Sequence, residues 1–71
     1  NIIRFIEVKF RSNGSYGSAL EAVDFKKQRR IMRAASWFLN EYGLSDVQCS
    51  FDIMTVENDV VRYYFNCYGG I

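Results

Sequence analysis

Glu7 and Lys9 stand two residues apart in the run Ile2-Ile3-Arg4-Phe5-Ile6-Glu7-Val8-Lys9-Phe10-Arg11. The strand period of two puts both on one face. Their neighbours are Ile, Val and Phe, so a central rather than a solvated strand is expected. Two opposite charges in such a place are costly unless they are paired, bind a metal or are used chemically. The chemistry they fit is phosphodiester hydrolysis, which needs a carboxylate-held divalent metal, an activated water and stabilisation of developing negative charge. Glu7 can supply one metal oxygen ligand and the backbone carbonyl of Val8 another. Lys9, about 7 Å further along the strand, can orient the water or meet the phosphate charge. Mg²⁺ would take its remaining positions from water, phosphate and usually a second carboxylate, and none precedes Glu7 here. The same two residues also fit a surface cross-strand ion pair, and spacing alone does not separate the two readings.

A second set of charges lies in Lys26, Lys27, Arg29, Arg30 and Arg33, within eight residues that contain no acid. On a helix, Lys26, Arg30 and Arg33 line one face. Lys27 lies one turn before Ile31, so it belongs to the core-facing stripe and should point toward the sheet edge. In a β-α unit the helix N-terminus lies at the C-terminal end of the preceding strand, beside Glu7 and Lys9. Lys27 and that helix end could then bind a phosphate, and the whole cluster could follow a nucleic-acid backbone. The alternative is a solvated basic face with no partner.

These residues must be positioned by a small body. The chain has 71 residues, 49% of them hydrophobic and 17% aromatic, enough apolar material for a core and too much for disorder. Net charge is +1, so outside the basic window four bases face eight acids, a net of −4. No stretch approaches the roughly 20 apolar residues of a membrane span, so no membrane partner is expected. No secretory signal is visible, and a cytoplasmic protein is expected. Cys49 and Cys67 are the only cysteines, and there is no histidine. A His/Cys zinc site of the usual kind is excluded, and two reduced, half-buried thiols are expected rather than a disulfide. The chain opens directly in a strand without a methionine, as part of a longer protein would.

The elements read as β-α-β-β. Residues 2–11 form the first strand and 12–17 a polar, glycine-containing loop. Ser18-Ala19-Leu20-Glu21 matches a capping box. Asp24 is a second candidate N-cap for a helix running from about 24 to Tyr42, with Gly43 as its C′ residue. Ile31, Ala35, Phe38 and Tyr42 are expected to form its buried stripe, widened by Met32 and Leu39. Cys49–Glu57 and Val60–Tyr68 read as strands joined by an Asn58-Asp59 turn. The first two strands should be parallel, with the helix as a right-handed crossover, and the third antiparallel to the second. One helix covers only one face of such a sheet, which implies further elements or a partner chain. Asp52, inside Phe51-Asp52-Ile53-Met54, needs an arginine or backbone amides if buried. Alternation sends half of Tyr63, Tyr64, Phe65 and Tyr68 to the core; the others could stack on bases or cover a sheet face. Trp37 lies off the stripe and marks a contact surface or a core edge.

With these residues in place, the chain resembles the YraN-like family of predicted endonucleases, related to the archaeal Holliday-junction resolvases and the restriction-endonuclease-like fold. Phe5-Ile6-Glu7-Val8-Lys9-Phe10-Arg11 resembles its "FVEVKxR" strand. Tyr16-Gly17-Ser18-Ala19 with Glu21-Ala22-Val23 resembles "FG…EAV", and Lys27-Gln28-Arg29-Arg30-Ile31 resembles "KQRRL". Ala34-Ala35 with Phe38-Leu39 resembles "AA..YL". Cys49-Ser50-Phe51-Asp52-Ile53 resembles "CRFDV", with Ser50 where the family often has arginine. Asn66-Cys67-Tyr68 resembles the closing "NAF". The resemblance spans nearly the whole chain in order. It implies an α/β fold, the β-α-β-β portion of a restriction-endonuclease-like mixed sheet, with residues 1–71 as one partial nuclease-like domain. It implies Mg²⁺ or Mn²⁺, Glu7 as metal ligand, Lys9 as catalytic lysine and Lys27 as a phosphate or active-site contact. The family's first helix, first strand and "GEIDLI"-type strand, whose aspartate is the other metal ligand, are absent here.

Three functions are therefore expected in turn. The first is an endonuclease-like domain acting on DNA, or other structured nucleic acid, and incomplete in this piece. The second is a non-catalytic nucleic-acid-binding module using the basic helix. The third is a structural role, with the exposed strand edge pairing two copies into a homodimer.

Overall fold

A computed structural model of the chain describes residues 2–11 and 23–69. The expected loop at 12–17 and the capping box at 18–21 lie outside the described residues. The elements are β1 (Ile2–Phe10), α1 (Phe25–Glu41), β2 (Gln48–Glu57) and β3 (Val60–Tyr68). They form an α/β unit with a mixed sheet in the order β1-β2-β3. β1 runs parallel to β2, from Ile2 opposite Gln48 to Phe10 opposite Val56, and β3 is antiparallel to β2.

Local chemistry explains the boundaries. The Asp24 carboxylate accepts from the Lys27 backbone N–H at 2.8 Å and so caps α1. At the other end Gly43 sits at φ +64°, with Gly43 N–H on Asn40 C=O and Leu44 N–H on Leu39 C=O, which closes the last turn. Asn58 and Asp59 both have positive φ, 50° and 64°, as a tight two-residue hairpin turn requires.

Alternation divides the sheet into two faces. Ile3, Phe5, Glu7 and Lys9 are half-buried on one, while Ile2, Arg4, Ile6, Val8 and Phe10 are exposed on the other. On the helix-covered side, Val23 and Ile53 are fully buried, with Ile31, Tyr64, Cys67 and Tyr68 packed against them. Phe5 stacks on Phe51 at 5.4 Å, and Phe51 on Tyr68 at 5.4 Å, making an aromatic row across all three strands. The opposite face leaves Ile6, Val8, Phe10, Val61 and Phe65 exposed. Cys49 and Cys67 are free, half-buried thiols, as expected.

Two expectations are corrected. β1 is not central among the described residues: β2 holds the middle, and the apolar run of β1 reflects one face against α1 and one left open. The buried stripe of α1 is centred on Ala35 and Leu39. Phe38 is 37% exposed and Tyr42 65% exposed, because the helix is rotated so that they fall on its flank. There Phe38 meets Phe5 edge-on at 5.9 Å and Tyr42 packs on Phe38 at 4.9 Å. No helix among the described residues is long and apolar enough to cross a membrane.

Candidate functional site

The parallel β1-α1-β2 crossover brings the start of α1 over the second half of β1. Lys27, in the first turn of the helix, places its ammonium 2.8 Å from the Glu7 carboxylate. Lys27 was expected to point toward the sheet edge at the end of β1 that carries Glu7 and Lys9, and its contact with Glu7 places it at that end. Both side chains are half-sheltered, Glu7 20% and Lys27 34% exposed. Lys9 is half-buried on the same face of β1, opposite the buried Thr55. Glu7, Lys9 and Lys27 thus share one side of the sheet, over one end of β1.

The helix end itself is already served. The Asp24 carboxylate sits on the Lys27 amide, and its negative charge opposes a second anion there. Any phosphate at this place would have to be met by the lysines. Lys26, Arg29, Arg30 and Arg33 are exposed on α1, and Arg29 lies 5.8 Å over the exposed ring of Phe25. The basic face is therefore solvent-accessible and continuous with Lys27.

A divalent ion finds only part of a site. The N–H of Arg11 bonds the C=O of Val56 at 2.8 Å, so alternation turns the backbone groups of Val8 to the open edge of β1. Glu7 and the Val8 carbonyl are then two oxygen donors, against the six that Mg²⁺ requires. Among the described residues no group of three or more His, Cys, Asp or Glu converges. The cation that Glu7 does hold is Lys27. The described residues alone do not fit a divalent ion.

On the opposite face Asp52 is fully buried and has every partner it needs. Arg4 donates to Oδ2 at 3.2 Å and Tyr63 to the same oxygen at 2.5 Å, while the Asn66 N–H donates to Oδ1 at 2.8 Å. The Ser50 hydroxyl also donates to Oδ1. Burial pushes the carboxyl up, but the four donors outweigh it and hold Asp52 down at about 2. Asn66 is at φ +52°, in the irregular stretch where the β2-β3 register shifts, and that backbone turn aims its N–H at Asp52. This is a structural network, met by both an arginine and a backbone amide.

The chain matches the model of uncharacterised protein family UPF0102 over residues 2–56. It belongs to the UPF0102 family, which is the YraN family. A UPF0102 protein of Hahella chejuensis is 46% identical over 50 residues, 70% of this chain and 40% of that protein. One from Haemophilus ducreyi is 43% identical over 58 residues, covering 78% of this chain and 46% of the relative. One from Shewanella loihica is 38% identical over 64 residues, covering 90% and 55%. The chain spans about half the length of the curated relatives it matches. No solved structure matches. In this UPF0102 chain Glu7, Lys9, Lys27, Lys26, Arg29, Arg30 and Arg33 all fall within the matched region.

The sequence left one group unassigned. Tyr68 is one of four aromatics expected in the core, on a sheet face or stacked on bases, and its ring packs into the core. Its hydroxyl oxygen, however, is buried with no hydrogen-bond partner among the described residues. Burial, and next the charge of Glu7, push the phenol up to about 12, so it stays a neutral donor. Nothing in a period-two pattern reveals where the tip of a six-membered ring ends.

Proposed function

We infer that this UPF0102 chain carries the lysine-and-glutamate half of a phosphodiester-cleaving centre, within a restriction-endonuclease-like sheet, and that it acts on DNA. The observation that supports this is the 2.8 Å contact between Lys27 and Glu7, on the face of β1 that also bears Lys9. A partly exposed ion pair contributes no more than about 1 kcal/mol, so a phosphate oxygen can compete with Glu7 for Lys27. Lys9, on the same face, meets the remaining phosphate charge. The exposed Lys26, Arg29, Arg30 and Arg33 hold the flanking backbone through charge, without reading its sequence. The Mg²⁺ or Mn²⁺ that the family resemblance implies would need a second carboxylate from outside the described residues.

The test is cleavage by the intact protein of branched and single-stranded DNA with Mn²⁺, beside a Glu7→Ala control. Cleavage that disappears in the variant supports the reading. Cleavage absent or indifferent to Glu7, with DNA binding that persists in EDTA, overturns it in favour of a non-catalytic binding module, which the accessible basic face of α1 also supports. A third reading, a homodimer through the open edge of β1, rests on that strand's lack of a second neighbour among the described residues. Dimerisation that survives high salt without DNA binding would select it.

A further inference from the structure

Tyr68 combines a locked ring with an idle hydroxyl. The ring is stacked on Phe51 at 5.4 Å, with an interplanar angle of 29°, and lies against the buried pair Val23 and Ile53. Tyr68 pairs with Phe51 and, beyond it, Phe5, but its ring packs against Ile53, the direct neighbour of Glu7 across the β1-β2 ladder, so ring and carboxylate share one face of the sheet. The hydroxyl oxygen is buried with no hydrogen-bond partner among the described residues. A buried, unmatched hydroxyl is destabilising, and a Phe would fill the same space without that loss. A group that works against stability in the resting fold is explained when another state of the site uses it.

That state is defined by Lys27. When its ammonium moves onto a phosphate, Glu7, only 20% exposed, loses the cation that now neutralises it. A stranded, sheltered carboxylate opposes ligand binding. We propose that Tyr68 is a positioning residue of this centre, whose hydroxyl donates to the Glu7 carboxylate when Lys27 is drawn onto a phosphate. Tyr68 touches no substrate in this scheme and acts through Glu7. In that state the Glu7 carboxylate turns from Lys27 toward the Tyr68 hydroxyl.

The inference rests on the proposed role of Lys27 and Glu7, and its test separates the two. Affinity of the intact protein for a fluorescein-labelled branched DNA is measured in EDTA, for Tyr68→Phe, Lys27→Met, Glu7→Gln and the Glu7→Gln/Tyr68→Phe double variant, with melting temperature recorded for each. Tyr68→Phe is expected to melt no lower than the parent and yet to bind on the order of tenfold more weakly, the loss of one hydrogen bond to a charged group. In the Glu7→Gln background, where no charge is stranded, the same change should have little effect; a merely structural tyrosine would give equal losses in both backgrounds. Unchanged affinity in Tyr68→Phe, a lowered melting temperature, or additivity in the double variant overturns the inference. If Lys27→Met also binds normally, the proposed role of Lys27 falls with it; if Lys27→Met binds weakly and Tyr68→Phe normally, only the role of Tyr68 falls.

Discussion

Replacing Asp52 by Asn should cost the fold about 2 kcal/mol near neutral pH, and the cost should vanish in acid. The carboxylate takes four donors, two on each oxygen, while fully buried. An asparagine keeps one acceptor oxygen, enough for the Asn66 N–H and one hydroxyl. Its amide group must face the other oxygen's partners, where Tyr63 can turn to accept but the Arg4 guanidinium cannot. Lowering of the carboxyl from 3.8 to about 2 corresponds to about 2.4 kcal/mol at most. Arg4 is 38% exposed, and screening of its share brings the figure to about 2 kcal/mol. Because the folded-state value lies below the unfolded one, this stabilisation is complete above about pH 4 and is lost as pH falls through about 2. Urea unfolding of parent and Asp52→Asn, followed by circular dichroism from about pH 6 down to about pH 2, measures the gap directly. Taking the difference between the two proteins removes the contribution of the other carboxylates. At neutral pH the gap should appear as roughly 8–16 °C in melting temperature for a chain of this size. A gap under about 0.5 kcal/mol near pH 6, or one that stays constant into acid, would refute the network as the source of stability.

Four further outcomes are expected. Glu7→Ala should abolish cleavage by the intact protein while leaving DNA affinity in EDTA within a few-fold of the parent, measured by gel cleavage and fluorescence anisotropy. Lys27→Ala should weaken phosphate binding and lower stability by under about 1 kcal/mol, since it loses only a half-exposed ion pair; a large fall in melting temperature would make Lys27 structural. Leu39→Ala should cost about 2–4 kcal/mol and Phe38→Ala less, because Leu39 is 8% exposed and Phe38 37%; the reverse order in denaturant midpoints would contradict the orientation of α1. Gly69→Ala should destabilise by about 1–3 kcal/mol, because Gly69 has φ +119° and a Cβ there would sit 2.7 Å from the Phe51 ring.

The elements were legible because each has local chemistry at its ends: Asp24 before α1, Gly43 after it, and Asn58-Asp59 between β2 and β3. The approach of Lys27 to Glu7 was legible because Lys27 falls one turn before Ile31 and the parallel crossover fixes which end of β1 the helix start must face. Asp52 was legible as a residue needing an arginine or an amide, but not which ones. Arg4 is distant in the chain, and Asn66 reaches Asp52 only through a positive-φ backbone turn that no propensity marks. The rotation of α1 was not legible either. Ile31, Ala35, Phe38 and Tyr42 and the alternative centred on Ala35 and Leu39 differ by a small turn of the helix, and only the packed structure, with Phe38 edge-on to Phe5, decides between them. The position of β1 in the sheet was misread because an apolar run looks the same whether both faces are covered or one lies open.

The two acidic residues of the sheet show how burial and partner count separate structure from function. Asp52 is closed: fully buried, with the acceptor capacity of both oxygens taken by four donors. Such a carboxylate holds a strand register and has no capacity left for a ligand. Glu7 is open: partly exposed, with one lysine that solvent can reach and an idle hydroxyl on its side of the sheet. Its single partner is replaceable, and the groups around it, Lys9, Lys27 and Tyr68, are the kinds that serve a phosphate or its carboxylate neighbour. If Glu7 and Asp52 were interchangeable surface pairs, Glu7→Gln and Asp52→Asn would have similar effects on stability. On the proposed function they are opposites: Asp52→Asn should lower the melting temperature and leave DNA affinity in place, and Glu7→Gln should change binding or cleavage while the fold stays within about 1 kcal/mol of the parent.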